Sequence, residues 1–273
     1  MSDTPLGDGS GRPVAEIDAT HPHSARIYNY WLRGKDNYPV DREMGAQIEQ
    51  ILPGIPEMAR QQRAFLARVV TWLAGEAGIR QFLDIGTGLP TANNTHEVAQ
   101  RVAPESRIVY VDNDPVVLTH ARALLTSSPQ GVTQYIDADL REPDKILSEA
   151  SRTLDFTQPV AIMLLGIIHH LTDHEEAAAV VKRLVDAVPS GSYLVITQTT
   201  NQVTGAAMDE AVRQWNEASP TPIVIRTPEQ IAGFFEGLEL LEPGVVSTTQ
   251  WRPDPARPGS QPMDEFAAVG RKP

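Results

Sequence analysis

Apolar positions recur along the chain in two rhythms, and the rhythm changes near residue 80. Before that point the spacing is helical. Ile27, Tyr28, Trp31 and Leu32 share one face of a segment that Ser24 can cap, and Asp41 can cap a second short helix through Ile51. Met58, Phe65, Leu66, Val69, Trp72 and Leu73 predict a longer helix between Glu57 and Gly75. Beyond residue 80, short apolar runs alternate with amphipathic stretches. Phe82–Ile85, Arg107–Asp112, Val132–Ile136, Val160–Leu165 and Ser192–Thr197 read as buried strands, and Leu238–Val246 and Glu265–Val269 as two closing ones. Helices are expected over Thr91–Val102, from Pro115 to Leu125 behind an Asp114 cap, and near Asp144–Ala150. Further ones follow a Thr172/Glu175 capping box to Val188, span Gly205–Glu217, and follow a Thr227/Gln230 box to Glu236.

Strands alternating with helices predict an α/β fold with a doubly wound, mostly parallel seven-stranded sheet. The expected division is a disordered arm over residues 1–18, rich in Gly, Pro, Asp and Ser, then an N-terminal helical cap over 19–80, then a ligand-binding domain over 81–273. In such sheets ligands lie outside the carboxyl ends of the strands, where the strand order reverses.

That rule turns scattered acids into a site. The first strand runs into Asp84-Ile85-Gly86-Thr87-Gly88, a glycine turn leading to a helix whose first N–H groups are expected to be free donors. A dinucleotide fingerprint would need glycine again at Thr91, and the Asp84 carboxylate suits an ammonium or hydroxyl and repels a pyrophosphate. Asp112 ends the second strand and can accept from both hydroxyls of a ribose. Asp139, in competition with Asp137, can accept from an exocyclic amine while the Leu140 N–H donates to a ring nitrogen. The fourth strand ends in Gly166-Ile167-Ile168-His169-His170. A ribose, an adenine and an amino-acid end together describe S-adenosylmethionine.

Composition removes other classes. There is no cysteine, so disulfides, thiolate chemistry and cysteine-bound metals are out. The 35 Asp and Glu outnumber the 23 Lys and Arg, a net charge of −12, which excludes a duplex-binding footprint. Basic residues gather over Arg26–Arg42 and Arg60–Arg68, read as helix faces and a contact for an anionic ligand. No run is long and apolar enough for a membrane helix, and the N-terminus has no signal-type apolar core. The expected partners are therefore a small-molecule acceptor and no nucleic acid or membrane, in the cytoplasm, with a homodimer left open.

The set Phe82–Gly88, Val111-Asp112, Asp137-Ala138-Asp139 and Ile167–Leu171 resembles class I S-adenosylmethionine-dependent methyltransferases, a Rossmann-like fold. More narrowly, Ala25–Tyr30 with Gly34–Tyr38 and Asp41-Arg42, and Gly88–His96 with Tyr110–Pro115, resemble an actinobacterial methyltransferase family whose substrates are largely unassigned. The departure is Arg33, where a second glycine is expected beside Gly34. The resemblance implies S-adenosyl-L-methionine as cofactor, held by Asp84, Gly86, Thr87, Gly88, Asp112, Asn113, Asp139, Leu140 and Gly166, with no metal. His169 and His170 are the candidate general bases, because imidazole titrates near neutrality. Tyr28, Lys35, Asp36 and Asn37 are candidate lid residues, and Gln198 and Trp215 candidate acceptor contacts. Two rivals stand beside this reading: a binding or regulatory protein that keeps the cofactor pocket without chemistry, and a nicotinamide-dependent oxidoreductase.

Overall fold

The computed structural model describes residues 19–124, 127–253 and 261–273. The proposed arm over 1–18 lies outside the described residues, as do Leu125, Thr126 and residues 254–260 of the loop before the last strand. Three helices come first: α1 (Ser24–Trp31), α2 (Pro39–Ile51) and α3 (Ile55–Gly75). Strands and helices then alternate: β1 (Gln81–Ile85), α4 (Thr95–Val102), β2 (Arg107–Asp112), α5 (Pro115–Leu124), β3 (Val132–Asp137), α6 (Pro143–Ala150), β4 (Ala161–Leu165), α7 (His174–Asp186) and β5 (Tyr193–Thr199). The chain closes with α8 (Ala206–Ala218), α9 (Pro228–Gly233), β6 (Glu239–Leu240), β7 (Val246–Ser247) and β8 (Glu265–Arg271).

The sheet order is β3-β2-β1-β4-β5-β8-β6, with β7 also paired to β8. β1 to β5 are parallel, and β8 lies antiparallel to β5, β6 and β7. The order reverses between β1 and β4, so the crevice expected of a wound sheet opens above those two strands. The sheet is thus mixed and has eight strands, not seven. The single strand expected over Leu238–Val246 is two short pieces on the same edge of β8. Glu242-Pro243-Gly244 separates them: proline has no N–H for the ladder, and Gly244 sits at φ 86°.

Period-two alternation sorts the strands between two cores. Leu83, Ile85, Val109, Val111, Ile162 and Leu164 face α6 and α7. Phe82, Ile108, Tyr110, Ala161 and Met163 face α3 and α4. A third cluster joins α1, α2, the first turns of α3, and α8, through Ile27, Trp31, Ile48, Leu52, Ile55, Met208 and Trp215. α3 therefore serves two cores, its start in the third cluster and its later turns in the second.

Several helix ends differ from expectation, each for a local reason. Ser24 is the first residue inside α1, behind His23. Asp41 is not the cap of α2 but the acid in its first turn; its carboxylate accepts from the N–H of Tyr38 (2.8 Å) and of His23 (2.9 Å), tying the starts of α1 and α2 together. α7 is capped one residue late, by Asp173 accepting from the Glu176 N–H at 2.8 Å. α9 stops at Gly233, short of Glu236. α4 starts at Thr95, four residues after the expected Thr91. β5 runs two residues further than expected, to Thr199, because β8 pairs with it all the way to Glu265.

Candidate active site

One cavity of about 400 Å³ opens over the carboxyl ends of the parallel strands, within the range of small-molecule sites. Asp84, Gly86, Thr87, Gly88, Asp112, Asn113, Asp139, Leu140, Gly166, His169 and His170 all line it, as do Tyr28 and Trp215. Asp137 ends β3 pointing to solvent and does not. Of the two candidate acids, only Asp139 faces the cavity.

The glycine turn is shaped by two different demands. Gly86 has φ 77°, and a Cβ there would lie 2.5 Å from the Ile167 side chain, so the β1 and β4 turns pack only because glycine is present. Gly88 has φ 65°, and a Cβ there would meet no protein atom within 4 Å. Its open side faces the cavity, leaving backbone bare for a ligand.

The turn and its neighbours hold the acids rigidly. Asp112 accepts from the N–H of Gly88 (2.8 Å) with one oxygen and of Asp114 (2.9 Å) with the other, which leaves each oxygen a further lone pair. Burial pushes its carboxyl up, opposed by those two N–H groups. Asp84 shares the parity of Phe82, so it lies on the α3/α4 side, where Thr95 Oγ1 donates to it at 2.6 Å. Burial raises its pKa to about 6, with Thr95 and Arg63 pulling the other way. Asp84 forms no ion pair among the described residues. Asn113 Nδ2 donates to Asp139 at 3.0 Å, and the Arg141 N–H to its other oxygen at 2.8 Å, linking the ends of β2 and β3.

The start of α4 is not the donor site expected of it. The Asn94 N–H is taken by the Glu97 carboxylate (2.8 Å) and the His96 N–H by the Tyr110 hydroxyl (2.7 Å). A glutamate over the helix start repels a phosphate, in line with the absence of glycine at Thr91.

His169 and His170 occupy a single 3-10 turn, Ile168–His170, with their rings edge to face at 4.6 Å. His169 Nδ1 lies 3.3 Å from Thr199 Oγ1, and His170 Nδ1 lies 3.2 Å from the Pro222 carbonyl. Burial holds His169 well below the usual imidazole range, with His170 adding to the effect, and takes His170 down to about 4. Both rings are neutral at pH 7.

Four expected contacts are not at the cavity. Lys35 and Asp36 are exposed and Asn37 half-buried, and none of the three lines it. They form a turn folded onto Asn29, whose Oδ1 accepts from the Asp36 N–H (3.0 Å) and Asn37 Nδ2 (2.8 Å). Arg42 closes it by donating to the Asn37 carbonyl at 2.7 Å. Arg33, the departure from the glycine pattern, sits in this turn at φ 63°, the left-handed region glycine favours. Gln198 is fully buried on the far face of β5, one residue out of phase with Thr197 and Thr199, where its Oε1 accepts from Arg226 at 3.0 Å. Tyr28 and Trp215 do face the cavity, with the Tyr28 hydroxyl donating to the Ala59 carbonyl (3.0 Å) and the Trp215 indole to the Thr221 carbonyl (2.8 Å).

The cavity also contains residues that sequence patterns did not single out. Arg63 lines it from α3 and donates to the Asn93 carbonyl at 2.9 Å; its only signal was membership of the basic stretch Arg60–Arg68. Gln62, one residue before, donates to Glu265 (2.9 Å) and Thr197 (2.8 Å). Glu265, the first residue of β8, lies across the ladder from Thr199 and accepts its hydroxyl at 3.1 Å. Burial raises its pKa to about 7 against those neutral donors. His23, in front of α1, pairs with Asp114 at 3.0 Å and brings the start of α1 beside Asp112.

Among the described residues no helix is long and apolar enough to cross a membrane. A DUF574 family protein from Streptomyces avermitilis shares 46% identity at a TM-score of 0.91, over 94% of this chain and 100% of that one. A Thermobifida fusca protein shares 44% at 0.86, over 93% and 96%. A SAM-dependent methyltransferase from Anabaena variabilis, at 15% identity and a TM-score of 0.50 over 74% and 80%, shares the fold. No curated protein matches the chain. The model of the S-adenosyl methyltransferase family, however, matches residues 10–273, and the chain belongs to that family, an S-adenosylmethionine-dependent methyltransferase with S-adenosylmethionine as its cofactor.

Proposed function

We propose that the chain methylates an oxygen or nitrogen of a small-molecule acceptor, with residues 81–273 holding the cofactor, the helices within 19–80 covering the acceptor side, and no nucleic acid involved. The observation that carries this reading is that Asp84, Asp112 and Asp139, at or just beyond the ends of three adjacent parallel strands, line one cavity. The open backbone at Gly88 and the buried Asp84, which has no ion-pair partner among the described residues, fit a ligand with an extended chain and an ammonium group.

On this reading Asp84 takes the ammonium and Arg63 the carboxylate of the amino-acid end. Gly86, Thr87, Gly88 and Gly166 give it a smooth backbone channel. Asp112, fixed by two N–H groups, accepts both ribose hydroxyls beside Asn113. Asp139 and the Leu140 N–H read the adenine edge. Once bound, the cofactor supplies a methyl group on a sulfonium, a carbon electrophile. What remains for the protein is to exclude water and aim a nucleophile. His169 or His170, both neutral at pH 7, is the proposed acceptor of the substrate's proton, although burial holds both imidazoles below their usual range and makes them weak bases, and Tyr28 and Trp215 bound the acceptor's space.

The test is calorimetric titration with S-adenosylhomocysteine. Asp112→Ala removes two hydrogen bonds to a charged acceptor at ~1.5 kcal/mol each, so affinity is expected to fall about a hundredfold. Asp137→Ala is the matched control and is expected to bind as the wild type does. Equal affinity in Asp112→Ala, with its far-ultraviolet dichroism unchanged, removes the ribose assignment.

A further inference from the structure

We propose that the acceptor is a flat, largely apolar ring compound bearing one neutral or cationic hydrogen-bond donor, and that Glu265 holds that donor. The inference rests on the methyl-transfer reading above and names the acceptor class within it.

The first support is the wall opposite the strand-end acids. Trp31, Ile48, Leu52, Met58, Met208 and Trp215 line it, from α1, α2, α3 and α8. The two indoles lie 6.2 Å apart, tilted by 42°. Their only polar atoms are already engaged: the Trp31 N–H donates to the Gly45 carbonyl at 3.1 Å and the Trp215 N–H to the Thr221 carbonyl at 2.8 Å. What these rings offer a ligand is carbon. The two thioethers add soft, adaptable surface of the kind that favours aromatic edges. A polyhydroxylated acceptor would lose its water here and gain no partners in exchange, which is unfavourable.

The second support is Glu265 itself. It is 4% exposed, lines the same cavity, and forms no ion pair among the described residues. Neutral groups alone hold it, Gln62 Nε2 at 2.9 Å and Thr199 Oγ1 at 3.1 Å, with His169 behind Thr199. The other titratable group near it is the Tyr28 phenol, which burial keeps protonated. Arg63, a cation of the same cavity, is directed to the Asn93 carbonyl on the loop before α4. A carboxylate has about four acceptor positions, and Gln62, Thr199 and the neighbouring Thr197 hydroxyl take three of them. An O–H or N–H fits the vacant one, and an ammonium would bring the missing counter-charge. Above about pH 7, where Glu265 is ionised, an anionic acceptor would meet a like charge in a poorly screened site.

Three probes sharing a naphthalene ring test this: 2-naphthol, 2-naphthylmethylamine and 2-naphthoate. Each is titrated at pH 8.5, where Glu265 is ionised, into the protein saturated with S-adenosylhomocysteine, followed by calorimetry and tryptophan fluorescence. The alcohol and amine are expected to bind at least about tenfold more tightly than the carboxylate. Glu265→Gln is expected to close that gap, chiefly by improving 2-naphthoate. Trp215→Leu is expected to weaken all three about fivefold or more while S-adenosylhomocysteine affinity stays within about twofold. If 2-naphthoate binds the wild type as well as the other two, or if none binds a protein that takes up S-adenosylhomocysteine, the proposal is overturned. The wild-type ranking decides by itself if Glu265→Gln does not fold. A protein that fails to take up S-adenosylhomocysteine refutes the cofactor reading, and the acceptor proposal with it.

Discussion

The two sides of the cavity solve opposite problems. On the side proposed for the cofactor, acids stand at the ends of parallel strands and are held by backbone N–H groups and short side-chain donors, as Asp112 is by Gly88 and Asp114. The wall proposed for the acceptor is apolar and belongs to the core of α1, α2 and α8, and Glu265 lines the same cavity. One side is a polar frame resting on a finished core; the other is core that has been left open to a ligand. Function and stability are separable on the first side and joined on the second.

The largest effect is expected where they are joined. Trp215 is 5% exposed and packs on Trp31. Trp215→Ala deletes a buried indole from a cluster with few ways to collapse, and a cost of ~3–5 kcal/mol is expected in urea unfolding. Asp112→Ala, across the cavity, removes two hydrogen bonds at a rim position, and its expected loss of ~1–2 kcal/mol is small beside its effect on S-adenosylhomocysteine. Equal unfolding costs for the two variants would erase the distinction between frame and core.

That distinction also explains which residues could be read from the sequence. Acids at strand ends stand out because a buried strand is a short apolar run, and Asp84 and Asp112 each close one. The wound topology then brings them to one rim without further information. Glu265 carries no such mark. It opens a strand 181 positions after Asp84 in number, and reaches the cavity only because β8 runs antiparallel beside β5, a pairing no local pattern encodes. Gln62 and Arg63 are two positions on a long amphipathic helix, indistinguishable in pattern from Gln61 or Arg60. Gln198 has a simpler reason: β5 runs two residues past the expected end at Thr197, so Gln198 is a strand residue on the far face and not a residue of the loop after the strand. The turn Lys35-Asp36-Asn37 was conspicuous and proved local. Its residues satisfy Asn29 and Arg42, and a Cβ at Gly34 would lie 2.4 Å from the Asn29 amide.

Glu265 gives the next effect, and its sign is fixed by burial. Its pKa is about 7 in the folded chain against an ordinary 4.5, so the folded state keeps a proton the unfolded chain gives up. The stability this contributes is fully present below pH 4.5 and is lost as pH rises through about 7, roughly 3 kcal/mol at ~1.4 kcal/mol per pH unit. Asp84, at about 6, acts in the same direction. His170, depressed to about 4, acts in the opposite one, its contribution present above pH 6.5 and lost as pH falls through about 4. Glu265→Gln removes only the first of these. Urea midpoints measured at pH 5 and pH 7.5 are expected to fall less between the two pH values in the variant than in the wild type. Parallel changes would mean that Glu265 is ionised at low cost, and that the acceptor side is less dry than its lining implies.

The smallest effect sits in the turn that is remote from both sides. Arg33 holds φ 63°, a conformation that costs a residue with a Cβ ~1 kcal/mol or more and glycine almost nothing. Its side chain recovers part of that through Glu49, 2.7 Å away, but the guanidinium is 55% exposed and such pairs contribute only a few tenths of a kcal/mol. It also lies over the Tyr30 ring, 5.7 Å from the centroid, near the limit of a useful cation–π contact. Glycine gives back some of the gain by loosening the unfolded chain. The balance favours glycine, and Arg33→Gly is expected to raise stability by ~0.5 kcal/mol. Because this turn touches neither acids nor wall, the affinities for S-adenosylhomocysteine and for 2-naphthol should not move with it. A shift in either would show that the turn communicates with the cavity through α1, and that a lid role for Lys35 and Asp36 acts at a distance instead of by contact.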